Sequence, residues 1–190
     1  SLELQEDVME HRQVLLTEIG ELASDLQFML LVPPIQGIIR ATNNGVDPFD
    51  LSPLETWKSR LAEIFKSYVS AHKSTYQIRY IGLENNGKEL VRVDKSESGI
   101  MRVAENNLQS KGSRDYYKEI TSPTFSGLYI SDITLNREQG VIQIPHTPTI
   151  RFAIQVYSDS GQLFGFIIVN VAVENMFQRL LNATDPDTLL

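Results

Sequence analysis

The run Tyr76-Gln77-Ile78-Arg79-Tyr80-Ile81-Gly82-Leu83, followed by Asn85-Asn86-Gly87 and then Glu89-Leu90-Val91-Arg92-Val93-Asp94, decides the fold class. The first eight residues are rich in β-branched and aromatic side chains, which suit a pleated, half-buried surface. Asn-Asn-Gly supplies residues that tolerate positive φ, the requirement of a tight hairpin turn. The second run alternates polar and apolar, the period of a strand with one face toward a core. The two runs predict an antiparallel hairpin, with Arg79 and Arg92 facing solvent as strand arginines commonly do.

Upstream of Tyr76 the period is helical. Val8, Leu15, Leu22 and Met29 recur every seven residues, with Ile19 and Leu26 between them, so one helix face carries an apolar stripe. That stripe suits either the chain's own sheet or a partner helix. Glu6, Asp7, Glu10, Glu18, Glu21 and Asp25 lie on the other faces. Pro33 and Pro34 end or sharply bend this helix. A short apolar piece, Ile35 to Ile39, follows, and then a turn-rich stretch from Asn43 to Pro48. Ser52-Pro53-Leu54-Glu55 reads as a helix start with Ser52 as the cap, and Trp57, Leu61, Ile64, Phe65 and Tyr68 carry that helix on.

Downstream, Lys95 to Thr124 is polar and irregular, with a short helix expected around Asp115 to Ile120. Strands are expected over Gly127 to Thr134, Thr149 to Ser158 and Gln162 to Val173, the last two joined by Asp159-Ser160-Gly161. Glu174 to Leu181 reads as a closing helix. The order predicts an α+β fold: a PAS-like five-stranded antiparallel sheet with helices on one side and a long N-terminal helix. The chain divides into a long helix (1–34), a helical segment (35–75), the PAS-like lobe (76–173) and a C-terminal helix with a linker (174–190).

Composition excludes several function classes. The 190 residues carry a formal net charge of −7, the wrong sign for a nucleic-acid binder. There is no cysteine, so thiolate catalysis, disulfides and Cys-based zinc sites are absent. His11, His72 and His146 are scattered and read as surface or loop residues; no metal is expected. Hydrolase motifs and Gly-rich phosphate loops are missing, so neither catalysis nor a cofactor is expected. Lys111-Gly112-Ser113-Arg114-Asp115-Tyr116-Tyr117 stands apart. It sets two cations, a flexible Gly-Ser and two aromatics beside a sheet. A guanidinium fork matches a carboxylate or phosphate, and tyrosines give apolar walls with polar tips. Tyr129-Ile130-Ser131-Asp132 and Arg151-Phe152-Ala153 place further polar groups on strands.

These pieces, in this order and spacing, resemble the double Cache (tandem PAS-like) sensor domains of bacterial histidine kinases, diguanylate cyclases and chemoreceptors. The likeness is carried by Tyr80 to Leu83, Gly87 to Asp94, Lys111-Gly112-x-Arg114-x-Tyr116-Tyr117 and Gly127-x-Tyr129-Ile130-Ser131. It continues in Pro145-x-x-Pro148-x-Ile150-Arg151 and in Gly161-x-Leu163-Phe164-Gly165 leading into Ile167 to Val171. The resemblance implies the membrane-distal lobe of a periplasmic domain set between two transmembrane helices. A second lobe would follow Asp187 to Leu190, and the output module would be cytoplasmic.

The resemblance also implies a small-molecule site between the sheet and the helical excursion. In amino-acid-binding members, an Arg-x-Trp-Tyr motif grips the carboxylate and a late strand Asp grips the ammonium. Here Arg114-x-Tyr116-Tyr117 has Tyr for Trp, the late strand position is Asn170, and an upstream Tyr position falls near Gln109. Losing that carboxylate tilts the expectation toward an anionic or neutral ligand, such as a carboxylate or other anion. The expected lining is Arg114, Tyr116, Tyr117 and Tyr129, with Lys111, Arg151 and Asn170 nearby. The rival reading is a structural or dimerising module with a vestigial pocket, and a homodimer through the long first helix is a further expectation.

Overall fold

The computed structural model describes residues 2–183 apart from 139, 143 and 145. The hairpin forms as its sequence predicts: β1 (Thr75–Gly82) pairs antiparallel with β2 (Glu89–Ser96). A single turn, α4 (Glu84–Gly87), connects them, with φ of 52° at Asn85, 58° at Asn86 and 71° at Gly87. Three consecutive left-handed residues explain the Asn-Asn-Gly spelling, because short amide side chains and glycine visit that region at least cost.

β1 lies inside the sheet. It also pairs with β9 (Leu163–Ala172), β9 pairs with β8 (Pro148–Tyr157), and β8 pairs with β4 (Leu128–Ile130), all antiparallel. The order β2-β1-β9-β8-β4 is the expected five-stranded core, but the sheet has seven strands. β3 (Gly99–Arg102) adds an edge beyond β2, inside a stretch that reads as irregular because the strand is so short. β5 (Thr134–Leu135) pairs separately with β8. The run from Gly127 to Thr134 is therefore broken. At Ser131 the hydroxyl accepts the Arg151 backbone N–H at 2.9 Å, replacing a ladder carbonyl. β6 (Arg137–Glu138) and β7 (Val141–Ile142) form a separate two-stranded ribbon.

Three helices cover one face of the sheet: α1 (Leu2–Leu31), α2 (Pro33–Thr42) and α3 (Leu54–Ala71). Leu22, Leu26, Met29, Ile35, Ile38, Leu61 and Phe65 meet Ile78, Tyr80, Val91, Phe152, Ile167 and Val169 in the main core. The α1 stripe thus packs on its own sheet from Leu15 onward, while Val8 stays exposed. Pro33 and Pro34 do end α1, yet they also occupy the first positions of α2, where a missing N–H costs nothing. The apolar piece from Ile35 is therefore a helix face. α3 starts after Pro53 without a side-chain cap, because the Ser52 hydroxyl bonds Asp50 Oδ2 at 2.9 Å instead. His72 closes α3 and puts Nε2 2.9 Å from Asp25 of α1, so it is not a free loop residue. The His11 side chain and residues 184–190 lie outside the described set.

The helices do not all lie on the one side of the sheet that the sequence predicts. α5 (Asp115–Ile120) packs on the opposite face, where Tyr116 and Ile120 join Ile81, Tyr129, Ala153, Phe166 and Ile168 in a second core. α6 (Val173–Ala183) follows β9 directly and packs against α1 and β8.

The fully buried Leu26 predicts that Leu26→Ala lowers unfolding free energy by about 2–5 kcal/mol. Leu16→Ala, on the exposed side of the same helix, should cost no more than about 0.5 kcal/mol. Urea denaturation of both variants checks that α1 docks on the sheet.

Candidate ligand-binding site

The second face of the sheet holds the polar residues of the hairpin. Ile78 and Tyr80 point to the helices, so alternation turns Gln77, Arg79 and Ile81 the other way. That side is covered by α5 and by the loop from Val103 to Arg114. The loop is stitched to the hairpin: Glu89 N–H donates to Gln109, Lys111 N–H to Gly87 and Gly112 N–H to Asn86, at 2.8–2.9 Å. Gly112 acts here by closeness rather than flexibility, since a Cβ would lie 2.1 Å from Asn86 Oδ1.

Arg79 and Arg92 are consequently buried, at 3% and 5% exposure, and do not face solvent. Glu89 is the reason the burial holds. Its carboxylate is fully buried, with Oε1 3.7 Å from each of Arg79, Arg92 and Lys111, and Oε2 accepts the Gln109 N–H at 2.9 Å. Arg92 also grips Asp94 through two parallel contacts of 2.9 and 2.7 Å. From Asp94 the network crosses the sheet. Gln77 donates to Asp94 at 3.0 Å, Asn170 donates to Gln77 at 3.0 Å, and Arg79 donates to Asn170 Oδ1 at 2.9 Å. Asn170 needs one donor and one acceptor to do this, which an aspartate lacks.

The network reaches Arg151 through Asn136. Asn136 Oδ1 accepts from both Asn170 and Arg151 at 3.4 Å, and Arg151 also donates to Thr134 at 2.6 Å. Arg151 is 5% exposed and its guanidinium lies 5.9 Å from the Tyr116 ring centroid. Among the described residues no carboxylate lies within 4 Å of it. Burial first, and then the nearby Arg79 and Arg114 charges, hold its pKa below the usual arginine value.

Above Arg151 opens a cavity of about 660 Å³, walled by Arg114, Tyr116, Tyr129, Ser131, Asp132 and Thr134 among others. Sequence-selected residues therefore divide into two groups. Arg114, Tyr116, Tyr129 and Arg151 share the cavity. Asn170 lies beneath it in the network. Tyr117 and Lys111 are elsewhere: the Tyr117 ring covers Gly87 and its hydroxyl donates to Leu83 O at 3.3 Å, while Lys111 donates to Gln109 at 2.7 Å beside Glu89. Adjacent helix residues 116 and 117 point in different directions, and only the helix placement decides which one meets the cavity. Sequence reasoning missed Glu89, Gln77 and Asn136; the β2 alternation placed Glu89 on a polar face, but nothing local marked that face as covered.

A PAS-order antiparallel sheet, with a long first helix and a ligand-sized polar cavity under a short helix, defines a sensory module. Residues 39–188 match the sensor domain of bacterial histidine kinases, and the chain belongs to that family. No curated protein matches it. Among solved structures, the extracellular domain of a protein assigned as a histidine kinase shares 20% identity at a TM-score of 0.72, covering 94% of this chain and 59% of that one. A sensory box/GGDEF family protein domain from Vibrio parahaemolyticus shares 20% at 0.74, covering 95% and 63%. The ligand-binding domain of the Campylobacter jejuni chemoreceptor Tlp3, solved with L-valine, shares 16% at 0.65, covering 95% and 62%. At these identities the likeness carries the fold. The chain spans about three-fifths of the length of these structures.

Glu89 and Arg151, two of the buried charges on this face, should respond differently to neutralisation. Glu89→Gln removes the buried carboxylate that faces Arg79, Arg92 and Lys111 and should cost about 3–5 kcal/mol. Arg151→Met removes a buried cation lacking a carboxylate partner, and should cost less than about 1 kcal/mol or raise stability. Chemical denaturation of the two variants, with ligand absent, reads the difference.

Proposed function

We propose that this chain is the extracytoplasmic, membrane-distal ligand-sensing lobe of a bacterial transmembrane receptor, a sensor histidine kinase in first place. The lobe is not itself an enzyme; catalysis belongs to a cytoplasmic output module of the parent. The carrying observation is the buried Arg151 at the base of a cavity walled by Arg114, Tyr116 and Tyr129. Such a site recognises a small anion. The guanidinium groups supply charge and directed donors, and the two phenol rings enclose the body of the ligand. Asn170, already bonded to Arg79 and Gln77, offers no carboxylate to an ammonium group.

The route from site to output is short. Asn170 lies three residues before Val173, the start of α6, and α6 packs against α1. A ligand that draws α5 and its loop onto β8 and β9 would bind one arrangement of these strands better than another. That differential affinity would shift α6 against α1. The outer face of α1 exposes Met9, Leu16, Phe28 and Leu31, which supports pairing of two copies along this helix. No single described helix is long and apolar enough to cross a membrane. As a receptor lobe, the chain would sit in a parent protein with apolar segments of about 20 residues on both sides of it.

A metabolite screen by thermal unfolding tests the reading, because a specific ligand raises the melting temperature by mass action. With the best hit, Arg114→Ala should weaken binding by about 2–4 kcal/mol in calorimetric titration, with folding retained. Equal affinities in wild type and variant, or no stabilising metabolite at all, would leave the vestigial-pocket reading as the better account.

A further inference from the structure

Arg151 and Arg114 stand at two depths of one cavity. Arg151 is buried at its base, held by Thr134 and Asn136 and facing the Tyr116 ring. Arg114 is half-buried at the rim, one residue before α5. Among the described residues neither guanidinium has a carboxylate within 4 Å. Tyr116 and Tyr129 wall the same cavity.

The buried network below adds to this. On the second face Arg79, Arg92, Lys111 and Arg151 are all buried, against the buried Glu89 and the partly buried Asp94. Among the described residues these cations outnumber the carboxylates buried with them, in a low-dielectric setting where charge imbalance is felt most strongly. The carboxylates that line the cavity, Asp115, Glu119 and Asp132, are exposed at its rim, where water and salt screen them. The floor's acceptors are engaged: Asn170 Oδ1 by Arg79, and Gln77 Oε1 by Asn170. An ammonium group therefore finds cations and occupied acceptors at depth.

We propose that the ligand is a small dicarboxylate bound at both ends, one carboxylate on Arg151 at the floor and the other on Arg114 at the rim. This rests on the ligand-sensing reading above. Planar guanidinium forks match planar carboxylates, and two separated forks match two separated carboxylates better than one compact tetrahedral anion. The tyrosine rings contact the carbon chain between them.

Calorimetric titration of the 190-residue chain with malonate, succinate, glutarate and adipate tests the proposal, with butyrate, inorganic phosphate and L-valine as comparisons. At least one dicarboxylate should bind about 30-fold or more tightly than butyrate, which has a single anionic end. Arg114→Gln should bring that dicarboxylate down to the butyrate level while leaving butyrate unchanged. Arg151→Gln should weaken both, and Arg151→Lys should restore part of the loss; circular dichroism confirms that each variant is folded. Butyrate binding as tightly as every dicarboxylate would overturn two-ended capture. L-valine or phosphate binding in preference would overturn the dicarboxylate assignment. Both results would leave the sensor reading standing. Failure of all four dicarboxylates overturns this proposal alone, provided another metabolite stabilises the lobe; a blank metabolite screen overturns the sensor reading as well.

Discussion

Glu89 is buried within 3.7 Å of Arg79, Arg92 and Lys111, and the second face of the sheet is organised around it. An isolated carboxylate could not be taken out of water there, nor could three cations; together they can be. Because the carboxylate also accepts the Gln109 N–H, it ties the loop to the hairpin. With the loop tied down, α5 sits over the sheet and Tyr116 reaches Arg79, its hydroxyl accepting at 3.3 Å. The cavity wall is thus a consequence of how one buried charge is neutralised.

The neutralisation is local to the β2 side of the face. Toward β8 the compensation fades: Asn170 and Asn136 relay hydrogen bonds to Arg151 but carry no charge. A fold optimised only for stability would place an apolar residue or an acid partner there. On the proposed reading, the buried Arg151 is a cost retained for recognition, in keeping with the tendency of functional sites to break local stability rules. It sits on β8 with Phe152 beside it, and Phe152 points into the core under α1. One strand therefore touches the cavity on one face and the helix core on the other.

The hairpin and the long helix were legible in the sequence because their signals are local. Asn85-Asn86-Gly87 spells three positive φ values, whatever surrounds them. The heptad stripe of α1 names its buried face, although Val8 shows that the stripe outruns the sheet it packs on. Arg114, Tyr116, Tyr129 and Arg151 were readable as chemistry for an anion, and they share one cavity. Tyr117 and Lys111 were drawn in by adjacency and turn away, one over Gly87 and the other toward Glu89.

The order of elements, the antiparallel hairpins, the helix ends at proline and the lack of metal-binding or nucleophilic motifs can all be read from local stretches of residues. Each follows from backbone preference or side-chain chemistry within a few residues. That the second face is covered is a matter of long-range packing. Gln77, Arg79 and Arg92 alternate with apolar residues as solvent-facing residues do, and no neighbour in sequence reveals otherwise. Their burial comes from a loop of the chain about twenty to thirty-five residues away, drawn in by the charge of Glu89 and closed by Gly112 against Asn86. A polar strand face spells the same whether water or buried countercharges satisfy it.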